Sequence, residues 1–314
     1  MKIDLKQAVE ILNKNDNYII VTHANPDGDT LGGGYALMRA LRKCGKKAKV
    51  VNEKAIPKKY SFLVSEDDEI SEENAYIVSV DIADPKLMGE LEEKFGGKVQ
   101  LCIDHHGSNV LYAEKTLLKS DSASVCEIVY EVIKEMQINI DKEMASCLYT
   151  GISTDTGCFR YSNVTSATHK YAGELIDLGA KHAEIDTLMF ETKSPQHFAL
   201  ERLCLEGMKI LFDGKVAIIT LTQQMYAQSG ADESCADAIA SIPRQVEGVK
   251  IGVTIKEKAS GEFKISVRTH EPYDASEICK KLGGGGHMRA AGCQVDCSID
   301  EAIEKLCDVI EKVL

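Results

Sequence analysis

The 314-residue sequence contains no tryptophan and only 6% aromatic residues, and it lacks a continuous apolar run of about 18 residues. Without such a run no membrane-spanning helix is predicted, and Met1–Lys6 is charged where a signal peptide would be apolar. Few aromatic side chains also argue against a long stacking platform for single-stranded nucleic acid. We therefore expect a cytoplasmic protein without a membrane partner, and any nucleic-acid substrate should be only a few nucleotides long.

Positive charge and paired cysteines are also scarce. The chain has 37 Lys/Arg against 49 Asp/Glu, and its net charge of −12 opposes non-specific binding to long duplex nucleic acid. The 11 cysteines include no C-x-x-C pair, so neither a zinc ribbon nor a disulfide framework is predicted. Free thiols in a reducing compartment are the simpler interpretation. A small anionic substrate held by metal ions remains compatible with this composition.

The length is sufficient for two domains with separate cores. In residues 1–190, short apolar runs that alternate with helical patterns predict an α/β fold with a doubly wound, mainly parallel sheet. The predicted strands are Tyr18–Thr22, Ala48–Val51, Tyr76–Val80 and Val99–Ile103. A first helix is predicted over Gly32–Cys44, and helices dominate from Ser124 to about Met189, with Asp141 as an N-cap and an amphipathic stretch at Thr165–Leu178.

A second, smaller α/β domain is predicted over residues 207–314, after a linker and connecting helix at 191–206. Asp213-Gly214 lies between two apolar runs, which is a strong hairpin signal. The other predicted elements are strands at Lys250–Lys256, Phe263–Arg268 and Gly292–Val295, and helices at Ala275–Leu282 and from about Asp300. We expect a cleft between the two domains.

Carboxylates and imidazoles follow the predicted strands of the first domain. They are His23, Asp27, Asp29, Asp81, Asp104, His105 and His106. Because the carboxyl ends of parallel strands meet at one edge of the sheet, these side chains can converge. Each alone has an ordinary structural explanation, but several carboxylates together repel one another unless a cation compensates. Oxygen and nitrogen donors without thiolate favour Mn²⁺, with Mg²⁺, Co²⁺ or Zn²⁺ as alternatives.

Seven such groups are too many for one closed metal site. Two ions that share a carboxylate, about 3.5–4 Å apart, would activate water for phosphoester hydrolysis. Asp155, in Thr154-Asp155-Thr156-Gly157, is a candidate for one more ligand. The alternative for this segment is a helix C-terminal turn that ends at Gly157.

Five segments together resemble the DHH phosphoesterase superfamily and its associated DHHA1 domain. In chain order they are His23–Asp29, Val80-Asp81, Asp104-His105-His106, Gly151–Gly157 and Gly283–Gly292. The resemblance covers nearly the whole chain. Within the superfamily, the chain is similar to the bacterial nanoRNase and pAp phosphatase branch. This similarity implies a Mn²⁺-dependent enzyme that hydrolyses dinucleotides to pentanucleotides, RNA or DNA, to mononucleotides, and 3′-phosphoadenosine 5′-phosphate (pAp) to AMP.

The resemblance also implies roles for individual residues of the first domain. Two ligand sets share a bridging Asp81: His23, Asp27 and Asp81 for one Mn²⁺, and Asp29, Asp81, His105 and Asp155 for the other. Mg²⁺ or Co²⁺ are possible substitutes. His106 is expected near the scissile phosphate as a catalytic residue, together with Asp81. Asp104 is expected to orient a ligand histidine rather than to bind metal.

In the second domain, the resemblance implies substrate binding by a glycine run and nearby basic residues. The expected residues are Arg268, Gly284, Gly285, Gly286, His287 and Arg289. Without Cβ atoms the backbone N–H groups can approach an anion closely, although a flexible loop and a solvent-exposed arginine are the alternatives. Residues 241–290 carry nine Lys/Arg against six Asp/Glu, which favours phosphate binding. Met288 stands where many relatives carry a basic residue.

Three other functions stay open. One is hydrolysis of linear dinucleotides such as pApA, derived from cyclic dinucleotide signalling. A second is inorganic pyrophosphatase activity, which the glycine-rich second domain disfavours. The third is a non-catalytic nucleotide-binding protein, which the complete set of ligand positions disfavours. A homodimer is compatible with the sequence.

Overall fold

A computed structural model describes residues 1–65 and 69–314. The chain divides into two compact units, Met1–Thr192 and Lys193–Leu314. The first domain predicted from the sequence ends at residue 190, and most of the segment predicted as a connector, 191–206, lies within the second unit. Among the described residues, no helix combines the length and the apolarity that crossing a membrane requires.

The first unit contains a six-stranded sheet in which every pair of neighbours is parallel. Its strands are Lys2–Ile3 (β1), Tyr18–Val21 (β2), Ala48–Val51 (β3), Tyr76–Val80 (β4), Leu101–Asp104 (β5) and Lys115–Leu118 (β6). Their order across the sheet is β1-β6-β5-β4-β2-β3. The predicted parallel sheet is confirmed. Strands β2, β4 and β5 are adjacent, so the segments that follow them emerge side by side at one edge.

Helices cover this sheet on both faces. They are Leu5–Lys14 (α1), Gly28–Lys43 (α2), Leu91–Phe95 (α3), Val125–Glu135 (α4), Lys142–Asp155 (α5), Ser166–Asp177 (α6) and His182–Asp186 (α7), followed by a π-helical segment at Thr187–Glu191. On one face Leu37, Val129 and Leu148 pack with Val78 of the sheet. On the other face Ile77 packs in a second core that includes Phe95. Burial on both faces explains why β4 is apolar at nearly every position.

Capping residues set the helix bounds. Asp141 accepts a hydrogen bond from the backbone N–H of Met144 and caps α5, as predicted, and α6 matches the predicted amphipathic stretch. Helix α2 differs from the prediction, because it begins at Gly28 rather than Gly32. The Asp27 carboxylate accepts hydrogen bonds from the N–H groups of Asp29 and Thr30, which starts the helix one turn earlier.

The second unit contains a mixed six-stranded sheet of order β11-β12-β10-β9-β8-β7, in which only β8 and β9 pair in parallel. Its strands are Lys209–Leu211 (β7), Val216–Leu221 (β8), Ile251–Glu257 (β9), Phe263–Thr269 (β10), Gly285–His287 (β11) and Ala290–Val295 (β12). Its helices are Pro195–Glu206 (α8), Gln223–Ser229 (α9), Ala236–Ile239 (α10), Ala275–Lys280 (α11) and Ile299–Glu311 (α12). The predicted hairpin at Asp213-Gly214 is confirmed as β7–β8.

Both faces of this second sheet are also covered. Val216 and Ile218 of β8 pack in a core with Ile278 and Leu306 of the helices α11 and α12. Ile219, which points to the opposite face, packs in a second core with residues of α8 and α9. The predicted α/β class of this unit is therefore confirmed.

Candidate metal centre

Three groups of carboxylate and imidazole side chains lie where the carboxyl ends of β2, β4 and β5 meet the end of α5. Within each group the candidate ligand atoms are all within 4.8 Å of one another. The groups are His23, Asp27 and Asp81; Asp29, His105 and Asp155; and Asp81, His105 and His106. The structure thus brings together all six residues predicted as metal ligands, although they come from four separate segments of the sequence.

Asp81 lies at the centre of these groups. Its Oδ2 is 3.7 Å from Nε2 of His23 and its Oδ1 is 3.5 Å from Nε2 of His105. The residue is 4% exposed, and Oδ1 has no hydrogen-bond partner in the described part of the chain. Its φ of 64° is in the left-handed region, which is rare outside glycine and is found at functional sites. The two oxygens face different histidines, as a bridging carboxylate requires.

One side of the centre is partly open to solvent. Asp27 uses Oδ1 to cap α2, and its Oδ2 lies 3.6 Å from Nε2 of His23. The Asp27 side chain is 53% exposed, whereas that of His23 is 17% exposed. Burial alone would lower the pKa of His23, but the hydrogen bond from its ring to the Asp27 carboxylate and the charges of Asp27 and Asp81 raise it.

The other side of the centre is buried around Asp29. This residue is 1% exposed, and its two oxygens accept hydrogen bonds from the N–H groups of Val125 (2.6 Å) and Cys126 (3.0 Å) in the first turn of α4. The positive end of the helix dipole therefore faces the carboxylate. Even so, burial and the charges of Asp81 and Asp155 raise the pKa of Asp29 well above its usual range.

His105 and Asp155 complete the buried side. Nε2 of His105 is 3.8 Å from Oδ2 of Asp29 and 3.8 Å from Oδ2 of Asp155. Burial is also the main reason that the pKa of Asp155 rises to about 6. Burial opposes the charged form of His105, but the nearby carboxylate of Asp81 and the charge of Asp29 outweigh it and raise its pKa to about 10. The raised pKa values of Asp29 and Asp155 come from burial and from neighbouring carboxylates, and the charge of His105 only partly offsets them.

The tautomer of His105 follows from its second nitrogen. Nδ1 lies 3.2 Å from the carbonyl oxygen of Ser122. Because a carbonyl oxygen can only accept a hydrogen bond, Nδ1 carries the proton. In the neutral ring the lone pair is then on Nε2, which faces Asp81 and is free to bind a cation.

Asp104 is completely buried and orients His106. Its Oδ1 accepts hydrogen bonds from the N–H groups of His105 and His106 and lies 2.8 Å from Nδ1 of His106. The predicted ligand His105 is therefore oriented by Ser122 instead of Asp104. Sequence analysis missed Asn109, whose amide donates to Oδ2 of Asp104 at 2.6 Å. The only signal for Asn109 is its place in the turn after the two histidines.

The donor set fits divalent cations. Carboxylate oxygens and imidazole nitrogens are the ligands that Mn²⁺, Mg²⁺ and Co²⁺ accept together, and no thiol belongs to any of the three groups. The buried Asp81 Oδ1 without a hydrogen-bond partner has an acceptor position left for a cation. The pKa values of Asp29 and Asp155 are raised by burial and also by repulsion from the neighbouring carboxylates. A cation would relieve this repulsion.

The basic residues predicted to bind substrate lie in the second unit. Arg268 is on β10, and its Nη1 is 3.4 Å from the carbonyl oxygen of Val267. Arg289 is more strongly engaged, because it donates to the carbonyl oxygen of Tyr273 (2.7 Å) and to Glu271 Oε1 (3.0 Å). His287 is exposed on β11 at the edge of the sheet. Substrate binding by these residues stays a prediction.

The glycine run at residues 283–286 is only partly a loop, because its second half forms one strand of a hairpin. Gly285 and Gly286 belong to the edge strand β11, which pairs with β12. The N–H of Gly284 donates to the carbonyl oxygen of Cys279 at the end of α11. A Cβ at Gly284 would lie 2.2 Å from the carbonyl oxygen of Gly292, and Gly286 has φ +145°. Close packing therefore explains two of the three glycines, and the amide of Gly284 is already bonded.

Comparison with known proteins identifies the family. Residues 17–152 match the N-terminal domain of the DHH family, and residues 213–314 match the DHHA1 domain. The chain is 31% identical to the bifunctional oligoribonuclease and PAP phosphatase NrnA of Thermus thermophilus over 320 residues, which covers 99% of this chain and 94% of the relative. The chain belongs to the DHH family. The DHH-family assignment, the DHHA1 domain and the prediction of a phosphoester-hydrolysing enzyme are thereby confirmed.

Solved structures share the fold of this DHH-family chain. An exopolyphosphatase-related protein from Bacteroides fragilis superposes with a TM-score of 0.87 at 23% identity and covers 98% of this chain and 95% of its own. The exonuclease RecJ, solved with manganese bound, superposes with a TM-score of 0.57 at 15% identity, covering 96% of this chain and 93% of its own. At these identities the comparison concerns the fold alone.

Proposed function

We propose that this DHH-family chain is a Mn²⁺-dependent phosphoesterase that converts oligonucleotides of two to five residues to mononucleotides and pAp to AMP. The observation that carries the proposal is the convergence of the six predicted ligands into three neighbouring groups, two of which contain Asp81 and two of which contain His105. The Thermus thermophilus relative is named for both activities, and RecJ, which has the same fold, was solved with manganese. The phosphoesterase activities named for the first and the manganese bound by the second both agree with a site of carboxylate and imidazole donors.

The two sides of the centre would each hold one cation. His23 and Asp27 would bind the first ion, Asp29, His105 and Asp155 the second, and Asp81 would bind both. Two divalent cations in such a site lower the pKa of bound water and neutralise charge that develops on the phosphoryl group. The protein's own part is to hold the six donors together before the substrate arrives, with Asp29 fixed by α4 and Asp27 fixed by α2.

His106 is the group best placed to act on the substrate itself. Its side chain is 44% exposed, and Asp104 holds Nδ1, so Nε2 is available to the substrate. The hydrogen bond that Nδ1 of His106 donates to Asp104 raises the pKa of His106 and favours the protonated ring. Nε2–H would then donate to a phosphoryl oxygen or to the leaving oxygen.

A phosphate that is not attacked would be bound by the second unit. Arg268 and His287 have fewer internal contacts than Arg289, and a guanidinium can bind two phosphate oxygens at once. We propose that Arg268 makes this contact. Binding a second phosphate would explain a preference for pAp and short oligonucleotides over simple monoesters.

The test is a substrate panel with the purified full-length chain and Mn²⁺. Labelled oligonucleotides of two to five residues, pAp, pApA and pyrophosphate would be incubated with the wild-type protein and with an Asp81→Ala variant. We expect release of mononucleotides and AMP by the wild type only. No release above the level of the variant would contradict the proposal.

The same panel separates the alternative functions. A strong preference for pApA over longer oligonucleotides would identify a phosphodiesterase for linear dinucleotides. Phosphate release from pyrophosphate alone would identify a pyrophosphatase. Tight nucleotide binding without turnover would identify a non-catalytic binding protein.

A further inference from the structure

A single peptide group connects the candidate ligand His105 to a buried carboxylate. The carbonyl oxygen of Ser122 lies 3.2 Å from Nδ1 of His105. The N–H of Ala123 donates to Oε2 of Glu127 at 2.9 Å. This oxygen and this N–H belong to the same peptide bond. The imidazole and the carboxylate therefore bind opposite ends of one peptide group.

Position 127 of α4 is an unusual place for a carboxylate. The residue is 3% exposed, and its Oε1 has no hydrogen-bond partner among the residues that the structure describes. Burial of a carboxylate with an unpaired oxygen is unfavourable. An apolar residue at this position of α4 would avoid that cost, so the carboxylate calls for an explanation beyond packing.

Helix capping does not provide that explanation. In the capping box of α12, Ser298 caps the helix and Oε2 of Glu301 accepts the N–H of Ser298 itself. Ser124 and Glu127 have the same spacing at the start of α4, and Ser124 Oγ accepts the N–H of Glu127. However, Oε2 of Glu127 bypasses the cap residue and accepts the N–H of Ala123 instead. The side chain thus holds the peptide that faces His105.

We propose that Glu127 is a positioning residue for His105 and acts through the Ser122–Ala123 peptide. An acceptor on the N–H side polarises a peptide and makes its carbonyl oxygen a better acceptor. The stronger bond to Nδ1–H then holds the tautomer and the ring orientation that leave Nε2 for a cation. Metal-bound histidines generally donate their second N–H to a carbonyl or a carboxylate. Here the ring donates to the Ser122 carbonyl oxygen, and the Glu127 carboxylate binds the other end of the same peptide group.

The inference rests on the proposed Mn²⁺ site and is tested on the full-length chain with Glu127→Ala and Glu127→Gln. Glu131→Gln is the matched control, because Glu131 lies one turn further along α4 and bonds Lys119 and Tyr171 instead. Two measurements are made: calorimetric titration with Mn²⁺, and the Nδ1–H resonance of His105 in ¹⁵N-histidine spectra of the metal-free protein. Neither measurement requires turnover.

We expect Glu127→Ala to weaken the Mn²⁺ site that contains His105 by about tenfold or more, with the His23 and Asp27 site retained. Glu127→Gln keeps an acceptor oxygen but loses the charge, so a smaller loss is expected. Both variants should move the Nδ1–H resonance of His105, and Glu131→Gln should not. If the alanine variant does not fold, the glutamine variant and its resonance decide the question.

The inference would be overturned if the Glu127 variants bound Mn²⁺ with wild-type affinity and left the His105 resonance unchanged. An equal effect of Glu131→Gln would also overturn it, because the cause would then be the stability of α4. Failure of the proposed function is a different outcome: the wild-type chain would hydrolyse nothing in the substrate panel, while the resonance test on the metal-free protein would still report on Glu127.

Discussion

The two units differ in how far their candidate functional groups are satisfied within the fold. In the first unit Asp29, Asp81 and Asp155 crowd together, and Asp81 Oδ1 has no hydrogen-bond partner among the described residues. In the second unit Arg289 is paired with Glu271, and the N–H of Gly284 is bonded within the fold. The candidate groups of the first unit therefore have charge and acceptor positions left for a cation, whereas Arg289 and Gly284 of the second unit are already bonded within the fold. Substitutions should affect turnover in the first unit and affinity in the second.

The largest effect is expected for Asp81→Asn, which removes the shared carboxylate. Loss of both cations removes several kcal/mol of transition-state stabilisation, so kcat/KM for pAp should fall by about 10³-fold or more. The melting temperature of the metal-free variant should not fall, because one of several repelling charges is gone. Enzyme kinetics, Mn²⁺ content and calorimetry would measure these effects. Retained activity with one bound ion would mean that Asp81 does not bridge.

Asp29→Ala tests whether the buried side of the centre acts as a separate site. We expect loss of the cation bound by His105 and Asp155, partial retention of the other, and a fall in turnover of about 10²-fold or more. The variant also leaves two buried N–H groups of α4 without an acceptor, which should cost about 1–3 kcal/mol of stability per group.

The control for Asp29→Ala is Asp27→Ala, which removes the exposed ligand on the other side. That variant should weaken the first ion and cost less stability, because the Asp27 side chain is half exposed. If either variant lost both ions together, or if turnover persisted in Asp29→Ala, the two-site division would be contradicted.

Acid should weaken the buried site more steeply than the exposed one. A cation must displace protons from its ligands, and each displaced proton changes affinity by about tenfold per pH unit. On the buried side the pKa values of Asp29, His105 and Asp155 are all raised, the last to about 6. On the exposed side His23 also has a raised pKa.

Because raised pKa values retain protons as the pH falls, both Mn²⁺ affinities should decrease from about pH 8 to pH 6, by roughly 100-fold at the buried site. Mn²⁺ titrations at three pH values would give the two slopes. Equal slopes at the two sites would contradict the difference that burial predicts.

Five of the six candidate metal ligands could be predicted from the sequence because they follow apolar strands, and the carboxyl ends of parallel strands meet at one edge. The sixth, Asp155, lies at the end of helix α5 and is indicated by its motif alone. The supporting residues could not be predicted. Asn109 and Glu127 act through single contacts to Asp104 and to a peptide, and neither contact leaves a pattern in the sequence. Glu127 even matches a capping box that the structure does not contain.

The elements that sequence analysis missed or displaced have similar physical reasons. Strand β1 contains only two residues, and β6 has only two consecutive apolar residues, Leu117 and Leu118, so neither shows an apolar run. The start of α2 depends on the Asp27 cap, which the sequence also offered as a metal ligand. The glycine run is typical of a flexible loop, but hairpin pairing with β12 makes half of it a strand, and glycines give no strand pattern in the sequence.

In the second unit, Arg268→Ala is expected to raise the KM for pAp by about tenfold with little change in kcat, because one charge-assisted phosphate contact is lost. Lys264→Ala is the matched control: Lys264 lies on the same strand and face but is exposed. Steady-state kinetics of both variants would measure the difference. An effect on kcat alone, or an equal effect of Lys264→Ala, would show that Arg268 does not bind the substrate phosphate.

The smallest effect is expected for Met288→Lys, which restores a basic residue between His287 and Arg289. The Met288 side chain is 57% exposed, and its carbonyl oxygen is fixed by the N–H of Ala275 at 2.7 Å, so the substitution should not alter the hairpin. A solvent-exposed charge contributes only about 0.2–1 kcal/mol, so the KM for pAp should fall by roughly two- to fivefold at low salt. At high salt the charge is screened, and the KM should return to the wild-type value. Met288→Leu should change nothing. If Met288→Lys had no effect at low salt, this end of the hairpin would not face the substrate, and phosphate binding by the second unit would depend on Arg268 alone.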